Sequence, residues 1–145
     1  MKILLLVTGG RGGSDFFQGL LDSHSQILQF PGLLNNENIF QILTLKNSYE
    51  ISNKFINTYP NFFNSRLSAQ LSERERHDRL GPKKNKFYKL SKAKFIKKFV
   101  HISNKKVTNT KLDILKNLHI AYDLAKGKKR GKKKIIFIHT HIVEF

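Results

Sequence analysis

The sequence contains no cysteine, which removes both a disulfide framework and a thiolate metal site from consideration and is compatible with a reducing compartment. Long apolar runs are missing as well. The first, Ile3 to Val7, is cut short by glycines, too early for a signal-peptide core, and no run approaches the ~20 residues of a membrane-spanning helix. The expectation is a cytoplasmic protein without a transmembrane segment. Acidic residues are scarce too: 10 Asp and Glu stand against 27 Lys and Arg, for a net charge of +17. The scarcity is uneven. Met1 to Glu73 is neutral, with Lys2, Arg11, Lys46, Lys54 and Arg66 balanced by Asp15, Asp22, Glu37, Glu50 and Glu73, so the second half carries the whole excess. Such asymmetry suits a polyanionic partner, whether nucleic acid, a sulfated or phosphorylated glycan or an anionic cofactor; it is equally what lysine-rich decoration of solvated helix faces produces. With 145 residues, 39% of them apolar, the chain can bury the core of one domain, 1–145.

What is present is organised around Lys2 to Asp22, KILLLVTGGRGGSDFFQGLLD. The unbroken run Ile3 to Val7 predicts a strand buried on both faces of a parallel sheet. Gly9, Gly10, Gly12 and Gly13 allow positive φ and close backbone approach, and Ser14 or Asp15 can cap a following helix whose inner face carries Phe16, Phe17, Leu20 and Leu21. Backbone N–H groups then converge at a helix start, where Arg11 adds a fork of donors suited to phosphate or sulfate. A plain glycine-rich turn would need only one or two such residues.

The nucleotide-kinase pattern GxxxxGK[ST] fails because Gly13 stands where it needs Lys, and the dinucleotide pattern GxGxxG begun at Gly10 puts Asp15 at its last glycine. The run from Thr8 through SHSQIL instead resembles the TGxxRSGTTxLxxLLxxHPxI signature of sulfotransferases that use 3′-phosphoadenosine 5′-phosphosulfate (PAPS). Arg11 takes the Arg/Lys position, Gly13 the family glycine, Ser14 the first Thr, Leu20 and Leu21 the helix leucines and His24 the following His. Gly12 replaces the family Ser, and Asp15 replaces the second Thr. Asp15 reads as a first-turn residue facing the helix dipole, with a direct substrate role open to it. The resemblance implies that Gly9, Gly10, Arg11, Gly12, Gly13, Ser14 and Asp15 hold the 5′-phosphosulfate.

Further on, Ile27 to Phe30, closed by Pro31-Gly32, reads as a second strand. Some sulfotransferases carry a catalytic Glu near this place; here the residues are QFPG. Glu37 is better placed to cap or begin a helix over Asn38 to Lys46, with Ile39, Ile42 and Leu43 on one face, and Ser48 to Tyr59 predicts another with Ile51, Phe55 and Ile56 inward. Asn61 to Lys86 is irregular and broken at Gly81-Pro82, as an insertion would be, and Arg74, Arg76, His77, Asp78 and Arg79 in it read as a solvated helix end or a substrate-facing cluster. Ser91 to Ile102 predicts a basic amphipathic helix, with Phe95, Ile96, Phe99 and Val100 opposite Lys92, Lys94, Lys97 and Lys98. Thr110 to Ala125 predicts another, capped by Thr110, carrying Leu115, Leu118, Tyr122 and Ala125 inward and ended by Gly127. The run KGKKRGKKK, 126–134, has the composition of a nucleic-acid tail, yet the strand-like Ile135 to Ile138 follows at once, which makes it a helix-to-strand loop.

The chain closes on IIFIHTHIVEF. Its His139-Thr140-His141 resembles the KTH-type triplet at a strand end in cytosolic sulfotransferases, which implies His141 as catalytic base and Arg11 as the group that stabilises charge on the transferring sulfuryl; His139 stands at the family Lys. Alternation puts both imidazoles on one side of a strand, so a metal pair is conceivable, but no third ligand accompanies them and no metal is expected. The family's RxxxxxxxS-type segment for the 3′-phosphate has no counterpart, which gives the expectation of an N-terminal fragment, a truncated form or a small divergent homologue. The fold expected is α/β, a mainly parallel sheet flanked by helices in an incomplete P-loop NTPase-like sulfotransferase arrangement. The function expected is sulfuryl transfer from PAPS to the hydroxyl of a glycan, lipid or small molecule. A basic nucleic-acid-binding module and an atypical kinase-like nucleotide-binding protein are the alternatives.

Overall fold

The computed structural model describes residues 1–8, 13–22, 24–67, 83, 85, 87–105, 109–127 and 133–141. In chain order its elements are β1 (Lys2–Thr8), α1 (Ser14–Leu20), β2 (Ile27–Leu28), α2 (Asn36–Thr44), α3 (Ser48–Thr58), α4 (Pro60–Phe63), a 3-10 turn (Ser65–Leu67), α5 (Lys92–Ser103), α6 (Lys111–Ala125) and β3 (Ile135–His141). The three strands form a small open sheet in the order β1-β3-β2, parallel throughout. The α/β architecture expected from the sequence is therefore present. β3 lies in the centre, in register with β1 from Lys2 opposite Ile135 to Thr8 opposite His141.

Side chains of paired residues in parallel strands point to the same face, and this divides the molecule. Phe137 and His139 face α1, where the Phe17 and Phe137 rings lie 6.0 Å apart. Ile136 and Ile138 face the helical layer and join Leu28, Ile42, Phe55, Phe95, Leu118 and Tyr122 in one apolar core. Phe30, just beyond β2, is the hub of its aromatic part. Its ring centroid is 5.0 Å from Phe55, 5.5 Å from Phe62, 5.2 Å from Tyr122 and 4.0 Å from His119.

The helices begin where side chains satisfy their first N–H groups. Asn35 accepts from Asn38 N, Asn47 from Tyr49 N and Glu50 N, and Ser91 from Lys94 N, while Thr110 and Asp113 form a reciprocal capping box. α2 thus starts two residues ahead of the expected Asn38, because the Asn35 cap sets its start and the apolar spacing marks only the buried face. Pro60 ends α3 and opens α4, a position where its missing N–H costs nothing. That short helix corrects the reading of 61–86 as irregular from its first residue: Phe62 and Phe63 are fully buried, and Leu90 N donates to Phe63 O at 2.7 Å. Arg74, Arg76, His77, Asp78, Arg79 and Gly81-Pro82 lie outside the described residues.

Two expectations about the first unit are overturned. β1 is the sheet's edge strand, and Ile3, Leu4, Leu5 and Val7 are exposed instead of buried on both faces. α1 departs from the expected inner face of Phe16, Phe17, Leu20 and Leu21: Ser14 and Gln18 are buried and Leu21 is half-buried, whereas Phe16 and Leu20 are exposed and Phe17, although exposed, packs one side on Phe137. Its N-cap is Gly13, in the left-handed region at φ 70°, with no side-chain cap from Ser14 or Asp15. β2 is also shorter than its apolar run, because pairing stops at Leu28 while Phe30 turns into the aromatic core.

One lysine of the basic run has a structural task. Lys133 Nζ donates to His24 O at 3.0 Å and Ile27 O at 2.7 Å, and lies 3.9 Å from Asp123 on α6, tying the amino ends of β2 and β3 to the helical layer. Residues 128–132 lie outside the described set.

His119 is buried inside this core. Its Nδ1 lies 2.9 Å from Leu115 O, and Nε2 has no hydrogen-bond partner among the described residues. Burial disfavours the imidazolium and pushes its pKa down to about 4, which outweighs the upward pull of the Leu115 carbonyl. The unfolded chain, with a His pKa near 6.5, therefore binds the proton first as pH falls. Stability is complete above about pH 6.5 and falls down to about pH 4, at up to ~1.4 kcal/mol per pH unit. Urea unfolding across this range should show that loss in the natural chain and a distinctly flatter profile in His119→Leu; parallel profiles would contradict the assignment.

Candidate functional site

The parallel register brings the carboxyl ends of β1 and β3 level, so Thr8, immediately before the glycine loop, stands opposite His141. In open parallel sheets this edge is where ligands bind. From Thr8 the chain passes through the glycine loop to Gly13 and then into α1, whose first residue, Ser14, is buried with its hydroxyl 3.4 Å from that of Thr8. Among the described residues, a Cβ added at Gly13 would meet nothing within 4 Å.

The best-defined part of the region is a buried polar lattice. Gln18, on the inward face of α1, donates through Nε2 to Phe30 O at 2.8 Å and Gly32 O at 3.4 Å. With the amide nitrogen committed to two carbonyls, Oε1 is left to face His139 Nδ1 at 2.9 Å. An amide oxygen only accepts, so His139 carries its proton on Nδ1 and donates it. Asp15 Oδ1 lies 3.7 Å from the same nitrogen, beyond hydrogen-bond reach, on an exposed side chain. His139 itself is fully buried. Leu34 N donates to His139 O at 3.0 Å, and the Thr140 hydroxyl lies 2.8 Å from Leu34 O and 2.5 Å from Asn36 Oδ1. These bonds hold segment 30–36 against the end of β3 and fix the backbone that leads into His141.

Of the residues singled out in the sequence, Gly13, Ser14 and Asp15 therefore sit at the start of α1, beside the end of β3. Gly9, Gly10, Arg11 and Gly12 lie outside the described residues, as does the side chain of His141. His24, matched to the family His, is exposed in the turn before β2, where its Nδ1 accepts from Gln26 N at 3.2 Å. Glu37 lies in the first turn of α2 and is exposed. Among the described residues no group of three His, Asp or Glu is positioned to hold a metal ion, and no helix is long and apolar enough to cross a membrane. Gln18 and Asn36 were not anticipated. The available signal for Gln18 was its place one turn after Ser14, which makes a polar stripe on an otherwise apolar helix.

The lattice makes a spectroscopic prediction. Long-range ¹H–¹⁵N correlation should find His139 as the Nδ1–H tautomer, and Gln18→Leu should abolish that preference while the sheet's amide pattern persists. A predominant Nε2–H tautomer in the natural chain would contradict the arrangement. No protein-family model, curated protein or solved structure matches this chain, so the geometry carries the functional reading together with the sequence pattern.

Proposed function

We propose that the chain binds PAPS at the carboxyl end of β1 and transfers its sulfuryl group to the hydroxyl of an acceptor, a glycan, lipid or small molecule. The observation that carries this reading is the register that sets Thr8 opposite His141, because it puts the glycine loop of one strand and the His-Thr-His end of its neighbour at the same edge of the sheet. In this reading the glycines of 9–13 let phosphate oxygens approach the backbone, and Arg11 supplies fixed charge with a bidentate donor fork. His141 takes the proton of the acceptor hydroxyl as its oxygen bonds to sulfur. The bond between sulfur and the 5′-phosphate oxygen breaks, and Arg11 offsets the charge that develops on the sulfuryl oxygens and on the departing adenosine 3′,5′-bisphosphate. His139, buried and hydrogen-bonded to Gln18, is assigned to positioning the strand end and not to proton transfer.

A second reading has one observation in its favour. α5 exposes Lys94, Lys97, Lys98 and, just beyond it, Lys105, and no acidic residue lies within the helix. That face suits a polyanion such as nucleic acid.

Calorimetry separates the two. Adenosine 3′,5′-bisphosphate should bind the natural chain and lose measurable binding in Arg11→Ala, while Lys94→Ala/Lys98→Ala leaves it intact. His141→Ala should keep nucleotide affinity and, wherever turnover is measurable, lower kcat by about 10² to 10⁴. Nucleotide binding that survives Arg11→Ala, alongside polynucleotide binding that collapses in the α5 variant, would transfer the assignment to the second reading.

A further inference from the structure

The first unit leaves an apolar surface where a sheet would ordinarily continue. In the parallel ladder Lys2 N donates to Lys134 O at 2.9 Å, so by alternation Lys2, Leu4, Leu6 and Thr8 direct their backbone groups to β3. Ile3, Leu5 and Val7 direct theirs to the open edge. Natural edge strands are usually blunted by a charge, a proline or a bulge, and between Ile3 and Val7 there is none. The side chains repeat the message on both faces: Leu5 is 54% exposed, and on α1 Phe16 is 73% and Leu20 65% exposed, on the side of the helix opposite Gln18. Together with Ile3, Leu4, Val7 and Phe17 they present roughly 700 Å² of apolar surface if a large apolar side chain spans ~200 Å². Summed over both faces of β1 and over α1, this approaches the ~800 Å² each partner contributes to a standard interface.

We infer that this surface is the seam of a homodimer in which β1 pairs antiparallel with β1 of a second copy about a two-fold axis at Leu5. Three features select a copy of the same chain over another occupant. First, the edge is self-complementary. With Leu5 opposite Leu5, Ile3 meets Val7 and Val7 meets Ile3, so all the outward N–H and C=O groups of these residues pair, and Lys2 falls opposite Thr8. Second, the pairing edge is uncharged: Ile3 to Val7 hold no ionisable side chain, although the chain carries +17. A copy therefore meets no charge repulsion along the paired strands. Third, the twofold keeps like faces together, so both α1 helices lie on one face of a continuous six-stranded sheet. Salt screens the repulsion between the two basic halves without weakening apolar contact, so this association strengthens as salt rises, opposite to polyanion binding.

The absence of cysteine makes the register directly testable, because a single introduced thiol is unique in the chain. Paired Cα atoms at such a position lie ~5.5 Å apart, within disulfide reach. Sedimentation of the full chain should give twice its 16.8-kDa mass, with the dissociation constant falling as salt is raised. Leu5→Cys should oxidise to a covalent dimer in high yield, whereas Tyr49→Cys, equally accessible on α3, should not, and Leu5→Lys, a substitution at an exposed position, should give a folded monomer by circular dichroism. A chain that stays monomeric throughout, or a dimer in which Leu5→Cys links no better than Tyr49→Cys, would overturn the inference. A monomer whose Ile3, Leu5 and Val7 amides resist hydrogen exchange would overturn it too, by showing that a segment of the same chain covers the edge.

Discussion

The parallel pairing of Lys2–Thr8 with Ile135–His141 joins the two ends of the sequence, and the rest of the molecule depends on it. β3 carries Ile136 and Ile138 into the helical core on one face and Phe137 and His139 toward α1 on the other, so its place between β1 and β2 fixes both layers. The register fixes the chemistry as well. A shift by one residue would turn every side chain of β3 to the other face, taking Ile136 and Ile138 out of the apolar core and removing His139 from Gln18. At the amino end of the sheet, Lys133 reaches across to His24 O and Ile27 O; at the carboxyl end, Gln18, Thr140 and Asn36 bind segment 30–36 to the strand. The sheet is narrow, and polar clamps secure it at both ends.

How much of this could be read from the sequence varied with how local the physics was. α5 and α6 lie almost where spacing put them because their caps, Ser91 and Thr110, and their apolar stripes are short-range signals that the fold leaves undisturbed. The parallel neighbourhood of the first and last strands followed from two apolar runs separated by helices. β1's exposure did not follow, since an unbroken Ile-Leu run is the pattern of a strand covered on both faces and contains nothing that distinguishes a central strand from an edge awaiting cover. α1 misled for a related reason. Its four large apolar residues implied an inward face, yet the inward positions belong to Ser14 and Gln18, whose burial is tolerated only because partners distant in sequence, Phe30 O, Gly32 O and His139, satisfy the amide.

The candidate site divides along the same line. The glycine loop and His-Thr-His were legible as residue patterns, and their meeting at one sheet edge follows from parallel topology. The lattice behind them was not legible, because its bonds join α1 to segment 30–36 and both of these to a strand at the far end of the sequence. The charge asymmetry bears on the two readings: the glycines belong to the neutral half of the sequence and the exposed lysines of α5 to the basic half, so a ligand attracted by charge alone and one held at the carboxyl ends of β1 and β3 contact different residues.

That separation makes location of binding the most direct measurement. Titrating isotopically labelled chain with adenosine 3′,5′-bisphosphate and following backbone amide shifts should perturb Thr8, Gly13, Ser14, Asp15 and His139 to His141 while leaving the α5 amides in place. Shifts confined to Lys94, Lys97, Lys98 and their neighbours, with the ends of β1 and β3 unmoved, would contradict the account.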